Sequence, residues 1–460
     1  MIKTAATNNN LDINNILSKY SYQVPRYTSY PTAPHFSDNI TEKDNRKLIS
    51  DIKPNSSISL YFHIPFCEKM CWYCGCATRI TQRYSPVENY IHLLAREIRQ
   101  VKSLLADNIT VSHIHFGGGT PTILSPKDTD YLFKIIRENF TIQDDAEIAI
   151  EGDPRNITAE KTKSYKDNGV NRMSFGVQDF DIKVQEAINR VQPFEVVYDA
   201  IKNCRDSGID AINIDLIYGL PFQNLKNFER GVNYALLLKP SRIALFGYAH
   251  VPWMKKHMKM IDESALPDTN LRLELFEKAT EILLENNYKK IGLDHFVRED
   301  DSMYQSYINN KLHRNFQGYT TDSAKNLIGL GITSISQFED GFMQNLTSIK
   351  KYEERLLNKE LPTNRGIIIS KNDKIQRDII EKIMCNYEVN LNNVIKDWDI
   401  SIDNIFQNTE LLNDLIKDKV ISMDNNIITI NKDMYPLVRI VASIFDEYFT
   451  ASEKRHSSAV

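Results

Sequence analysis

The stretch SLYFHIPFCEKMCWYCGC, residues 59–76, runs from a β-forming segment straight into four cysteines, Cys67, Cys71, Cys74 and Cys76. The other two cysteines, Cys204 and Cys385, stand alone and read as ordinary thiols. The aromatic and aliphatic content of 59–65 predicts a strand that delivers the cluster at its carboxyl end. Cys67, Cys71 and Cys74 stand in CxxxCxxC spacing. Three thiolates can hold three irons of a [4Fe–4S] cube and leave the fourth iron open as a reaction site, whereas an electron-transfer cluster is normally closed by four cysteines. The rival uses are a zinc site completed by Cys76 or a nearby histidine, a four-cysteine electron carrier that includes Cys76, and inert reduced thiols. Structural zinc usually adds a second ligand pair at a distance, and the sequence offers none.

Working outward, five more β-rich runs follow the first: 112–118, 147–153, 172–178, 211–219 and 242–250. Helix-length segments with apolar spacing near 3.6 lie between them, such as VENYIHLLAREIRQVKSLL and PFEVVYDAIKNCRDSG. Six strand-then-helix units predict an α/β fold with a parallel sheet, either a curved partial barrel or an open doubly wound sheet. In both, chemistry sits at the carboxyl ends of the strands. There fall the cysteines, Gly117 to Thr120, Glu151, Gln178, Asp215 and Ala249. Residues 1–50 read as an N-terminal arm, 51–350 as the barrel, and 351–460 as a small, mainly helical domain. The arm carries PRYTSYPTAPHF, which pattern alone leaves as either an ordered extension or a loose linker. After about residue 350 the strands are expected to fade, apart from a wing-like hairpin at 420–430 turning at Asn425 and Asn426.

With 460 residues, 42% hydrophobic and 25% charged, the chain is an ordinary globular one that can bury a core. Its net charge of −4 gives no general drive toward nucleic acid. The helix before the hairpin sets Glu410, Asp414 and Asp418 against Lys417 and Lys419, a poor surface for phosphate. No leader-like segment opens the chain, and no apolar run approaches the ~18 residues of a membrane span. The expectation is a cytoplasmic protein without membrane insertion, where clustered thiols serve metal or redox chemistry rather than disulfides.

CxxxCxxC after a strand, followed by HFGGGTPT at 115–122, resembles the radical S-adenosylmethionine superfamily. Further blocks narrow the likeness: PRYTSYPT (25–32), YFHIPFC (61–67), FGVQDF (175–180), NIDLIYGLP (213–221), GYAH (247–250) and LHRNFQGYTT (312–321) resemble oxygen-independent coproporphyrinogen III oxidases. The resemblance implies a partial (β/α)6 barrel, with Cys67, Cys71 and Cys74 as ligands of a [4Fe–4S] cluster. Its open iron would bind S-adenosylmethionine. Reductive cleavage would give a 5′-deoxyadenosyl radical that takes hydrogen from a substrate propionate, and loss of CO2 and one electron would leave a vinyl group. Two such events would turn coproporphyrinogen III into protoporphyrinogen IX, a step of heme biosynthesis.

The resemblance also implies two S-adenosylmethionine molecules. Tyr61, Gly118, Glu151 and Ile335 match contacts to the first. Tyr73, Gly119, Thr120, Gln178, Arg190, Asp215 and Ala249 match contacts to the second. Tyr61 and Glu151, with Phe316 and Gln317, form the candidate catalytic set, and Arg26 and Arg314 are candidates for the propionate carboxylates. Gly118 and Gly119 are expected to let backbone approach the ligand closely. A low-potential electron donor is implied as partner, and the chain is expected to be a monomer. Glu151 departs from the family pattern in being followed by Gly152. Two rivals remain: a heme chaperone of the same superfamily, whose members lack the arm and the Cys76 equivalent, and an electron carrier, which needs no GGGT loop.

Overall fold

The computed structural model describes residues 13, 15–20 and 22–449. All six expected strands form: β1 (Ser57–Ile64), β2 (Thr110–Gly118), β3 (Thr141–Gly152), β4 (Arg172–Gln178), β5 (Ala211–Tyr218) and β6 (Arg242–Gly247). Each pairs in parallel with the next in the chain. Order in space equals order in sequence, so the sheet is singly wound like a barrel, and the doubly wound alternative falls. Helices α1 (Ser85–Lys102), α2 (Pro126–Asn139), α3 (Ala159–Asp167), α4 (Phe194–Asp206) and α5 (Leu225–Leu237) make the crossovers, and α6 (Thr269–Glu285) follows β6. Their limits are written locally. In α2, Ser125 caps by accepting from the Asp128 amide and Pro126 fixes the first turn. In α1, Val87, Tyr90, Ile91, Leu94, Ile98 and Val101 form one buried stripe that lies in the same apolar core as the strands.

The barrel stays open. On the outer edge of β1 lies a seventh parallel strand, Asn326–Leu330, continued antiparallel by Ile335–Phe338, Gly341–Asn345 and Thr363–Ile368. Beyond β6, His295–Val297 and Lys289–Ile291 add antiparallel edges. The expectation that strands fade by about residue 350 is thus corrected: Thr363–Ile368 closes the sheet edge, and Ser37 of the arm bridges to its Gly366. Further on, α7 (Lys371–Asn386) precedes the expected hairpin, Ile421–Asp424 with Ile427–Ile430. It turns at Asn425 and Asn426, whose φ values of 49° and 63° are the two left-handed residues such a tight turn requires. The strand Glu388–Asn390 completes this small sheet. The described part of the arm packs down: Tyr20, Val24, Tyr27 and Tyr30 are buried in one apolar cluster with Ile379, Ile383, Leu415, Ile428 and Phe445. Among the described residues, no helix is long and apolar enough to cross a membrane.

Candidate active site at the carboxyl ends of the strands

The cysteine loop leaves β1 and is clasped at its base by a two-residue parallel pairing of Phe66–Cys67 with Arg79–Ile80. Other elements pin it further along. The Trp72 amide donates to Ile188 O (3.0 Å), Asn189 Nδ2 to Met70 O (2.7 Å), and His257 Nε2 lies 2.8 Å from Cys74 O. Each of the three spaced sulfurs has a polar neighbour: Thr120 Oγ1 is 3.3 Å from Cys67 Sγ, Arg190 Nη1 3.4 Å from Cys71 Sγ, and the Cys76 amide donates to Cys74 Sγ at 3.4 Å. The Cys76 thiol, the Cys76 amide, His257 and Arg190 bring the Cys74 thiol down to about 6, whereas burial pushes Cys67 up to about 11. Among the described residues no three Cys, His, Asp or Glu side chains converge on one point as a single ion demands. A cube takes one thiolate per iron and asks no such convergence, so a soft-sulfur donor set on one pinned loop fits it. Cys76 is exposed, and Cys204 and Cys385 are buried among apolar side chains.

The end of β2 locks onto this loop. The Gly119 amide donates to Ile64 O (2.8 Å) and the Thr120 amide to Phe66 O (2.9 Å). Gly118 has φ 114°, and a methyl group there would sit 2.6 Å from His63 Cε1; one on Gly119 would sit 2.8 Å from Pro65 C. The room the glycines provide is therefore taken by the protein itself, which brings the β2 turn against the cysteine strand. Across β1, β2 and β3 runs a polar row: the Tyr61 ring stacks on His115 (6.0 Å between centroids), and His115 Nε2 is 2.9 Å from Glu151 Oε1. The Gly118 amide points at Glu151 Oε2 (3.4 Å), and Tyr61 Oη lies 3.2 Å from His63 Nδ1. His63 and His115 were absent from the sequence-derived site. Their signal was available, since Tyr61 and His63 alternate on one strand and Tyr61 pairs in register with His115.

Arg190 is buried where β3 and β4 end. It donates to Gly176 O (2.6 Å) and Asp153 Oδ2 (3.2 Å), while its Nε has no partner among the described residues. Burial would raise the Asp153 carboxyl, but Arg190 and Arg155 outweigh it and hold the group below its ordinary value. Gln178 follows a bulge in the pairing of β4 with β5 and takes φ 71°, a strained conformation for a side chain of this size. Asp215, opposite Gly176 on β5, is pushed up to about 7 by burial, with Glu151 adding repulsion. Tyr73 packs beside Trp72 against the cluster of Val184, Ile188, Ile217 and Leu220. Ala249 follows β6 between Tyr248 and His250, whose side chains meet at 2.7 Å.

A second group lies where the arm meets the hairpin His313–Asn315 with Gly318–Thr320. Arg314 Nε donates to Tyr27 O (3.2 Å) and Nη2 to Arg26 O (3.4 Å), its guanidinium covers the Tyr319 ring at 4.4 Å, and its buried Nη1 has no partner among the described residues. The two arginines singled out in sequence are thereby brought together. Phe316 joins Ile335 in a cluster with Phe36 and Phe342. Ile335 reaches the Tyr61 row through Gly329, which faces Tyr61 in register and lies against the Ile335 backbone. Gln317 is exposed on the hairpin turn. Sequence reading missed Arg439, which donates to Val24 O (3.4 Å) and is pushed down to about 10 by burial and by Arg26 and Arg314. It also missed half-buried Asp294, whose carboxyl is held low against desolvation chiefly by His295, with Arg314 and Arg26 adding.

An open, singly wound barrel with a three-cysteine loop after its first strand defines a radical S-adenosylmethionine protein. Residues 61–235 match the model of the radical SAM superfamily. The chain is 42% identical to an oxygen-independent coproporphyrinogen III oxidase of Bradyrhizobium diazoefficiens, over 95% of this chain and 97% of that one. It is 39% identical to the protein of the same name from Paracoccus denitrificans, over 96% and 98%. The solved coproporphyrinogen III oxidase of Escherichia coli, described as a radical SAM enzyme, superposes with a TM-score of 0.89 at 35% identity, covering 93% of this chain and all of that one. This chain belongs to the family of oxygen-independent coproporphyrinogen III oxidases. Its cofactors are accordingly a [4Fe–4S] cluster and S-adenosylmethionine.

Proposed function

We propose that the protein is an oxidoreductase that oxidatively decarboxylates two propionate side chains of coproporphyrinogen III to vinyl groups without O2, giving protoporphyrinogen IX for heme synthesis. The observation that supports this reading is one arrangement: the three-cysteine loop leaves β1 with Cys67 against Thr120 at the end of β2, beside the Tyr61–His115–Glu151 row that runs across β1, β2 and β3. When bound, the cluster and S-adenosylmethionine supply one-electron hydrogen abstraction, after which the propionate loses CO2 and one electron.

Cys67, Cys71 and Cys74 hold three of the irons. Tyr61, Gly118, Glu151 and Ile335 orient the S-adenosylmethionine beside them. Tyr73, Gly119, Thr120, Gln178, Arg190, Asp215 and Ala249 hold a second molecule. Arg26 and Arg314 take propionate carboxylates by charge-assisted hydrogen bonds, with Phe316 and Gln317 beside the reacting group. In this reading the arm (1–50) and the C-terminal region (351–460) roof the barrel (51–350) and exclude water from the radical. The protein acts as a cytoplasmic monomer supplied by a low-potential electron donor. Presence of both the arm and Cys76 sets it apart from the chaperone relatives. Anaerobic incubation of reconstituted protein with coproporphyrinogen III, S-adenosylmethionine and dithionite is expected to yield divinyl product. Absence of product together with stoichiometric heme binding refutes the reading.

A further inference from the structure

The segment VPWMKKHMKM, residues 251–260, takes no part in the chemistry above, yet it holds the cysteine loop from outside. Lys255 Nζ donates to Cys76 O (3.1 Å), and His257 Nε2 lies 2.8 Å from Cys74 O. Met258 anchors the segment from beneath, buried beside Tyr248 and Ile261, and accepts from the Val251 amide through its sulfur. The other side of the segment faces out. Trp253, Met254 and Met260 are 55%, 69% and 60% exposed. Lys256 and Lys259 are exposed among them; the next carboxylates in the chain, Asp262 and Glu263, stand at the end of the segment, and Glu263 is paired with His250 (3.0 Å). Next to this face, Gly75 and Cys76 are exposed too.

Large apolar side chains gathered at a surface mark a contact face, and a tryptophan with methionines inside a charged rim is the usual anatomy of one. Methionine suits a partner that binds and leaves, because it repacks at little cost. The sign of the rim is informative: the chain as a whole is acidic, at −4, while this face is basic. An acidic protein is attracted here and repelled by the molecule at large. We propose that the face formed by Trp253, Met254, Lys256, Lys259 and Met260 is the docking site of an acidic protein carrying a low-potential one-electron centre, which delivers its electron to the cluster through the loop that Lys255 and His257 hold. In that step the carrier is oxidised by one electron, the cluster is reduced by one, and no covalent bond changes. The proposal rests on the cluster reading of the cysteine loop and deepens it by naming where the electron enters.

The test uses reconstituted holoenzyme and an acidic flavodoxin as probe, without porphyrinogen. Two variants, Lys256→Glu with Lys259→Glu, and Trp253→Ala, should retain iron and sulfide. Each should weaken binding of oxidised flavodoxin about tenfold and slow cluster reduction by flavodoxin hydroquinone by a similar factor, while reduction by dithionite stays as in the parent. Reduction by flavodoxin should also fall with rising salt in the parent and much less so in the double variant. Flavodoxin reduction that is unchanged overturns the proposal. So does an equal loss with dithionite, which would hand the face to loop stability. Because binding and reduction are read without porphyrinogen, a failure to form vinyl product would sink the substrate reading and leave this one standing.

Discussion

Gly118→Ala should loosen the site through His63 rather than through any ligand. The new methyl would lie 2.6, 2.7 and 2.9 Å from three atoms of the imidazole. The ring cannot yield freely, because Nδ1 is 3.2 Å from Tyr61 Oη and Nε2 is 3.1 Å from Ala77 O. Giving up both bonds costs about 1 kcal/mol each. Holding alanine at φ 114° adds strain of about 1–3 kcal/mol. The total expected loss is about 3–5 kcal/mol, read as a lower urea midpoint of the cluster-free protein. A double-mutant cycle with His63→Ala separates the parts. With the ring gone, only the backbone strain should remain, so the coupling between the two substitutions should be about 2 kcal/mol. If Gly118→Ala costs the same in both backgrounds, the ring contact is not what requires the glycine.

Cys67→Ser, Cys71→Ser and Cys74→Ser should each abolish cluster retention, and Cys76→Ser should keep it, as measured by iron and sulfide content after anaerobic reconstitution. Arg190→Leu strips Asp153 of one of its two guanidinium partners inside a buried site and should cost about 3 kcal/mol at neutral pH. The Asp153 carboxyl is depressed in the folded state, so its contribution is present above the ordinary carboxylate value and is lost as pH falls through the folded one. The stability gap between parent and Arg190→Leu should therefore narrow in urea titrations taken below about pH 4.

The barrel was legible because its strands are β-forming runs with one face buried and the other half-buried, and the helices between them carry single apolar stripes. What pattern did not show was the sheet beyond the barrel. Asn326–Leu330 pairs with β1, which lies far back in the sequence, and the later strands are short and interrupted by glycines such as Gly341 and Gly366. The arm was undecidable for a similar reason, since Pro25 and Pro31 break the spacing of Tyr20, Val24, Tyr27 and Tyr30, and the cluster that buries these side chains is built mainly from residues 375–449. The cysteines announced themselves by spacing. Arg439 did not, because its meaning comes from lying against Val24 at the opposite end of the chain. Gly118 and Gly119 were found for their smallness, but the neighbours that need the space are His63 and Pro65.

The clasp between the two ends of the chain, where Tyr27 donates to Asp446 at 2.9 Å, also sets an order of events in biosynthesis. The cysteine loop and all six barrel strands are made before the residues that bury the arm. At ribosomal speeds of roughly 5–20 residues per second, the arm waits for some tens of seconds before its last partner emerges. During that interval the cysteine loop and the barrel strands have been made while the arm still lacks the residues that bury it, which are found at 375–449.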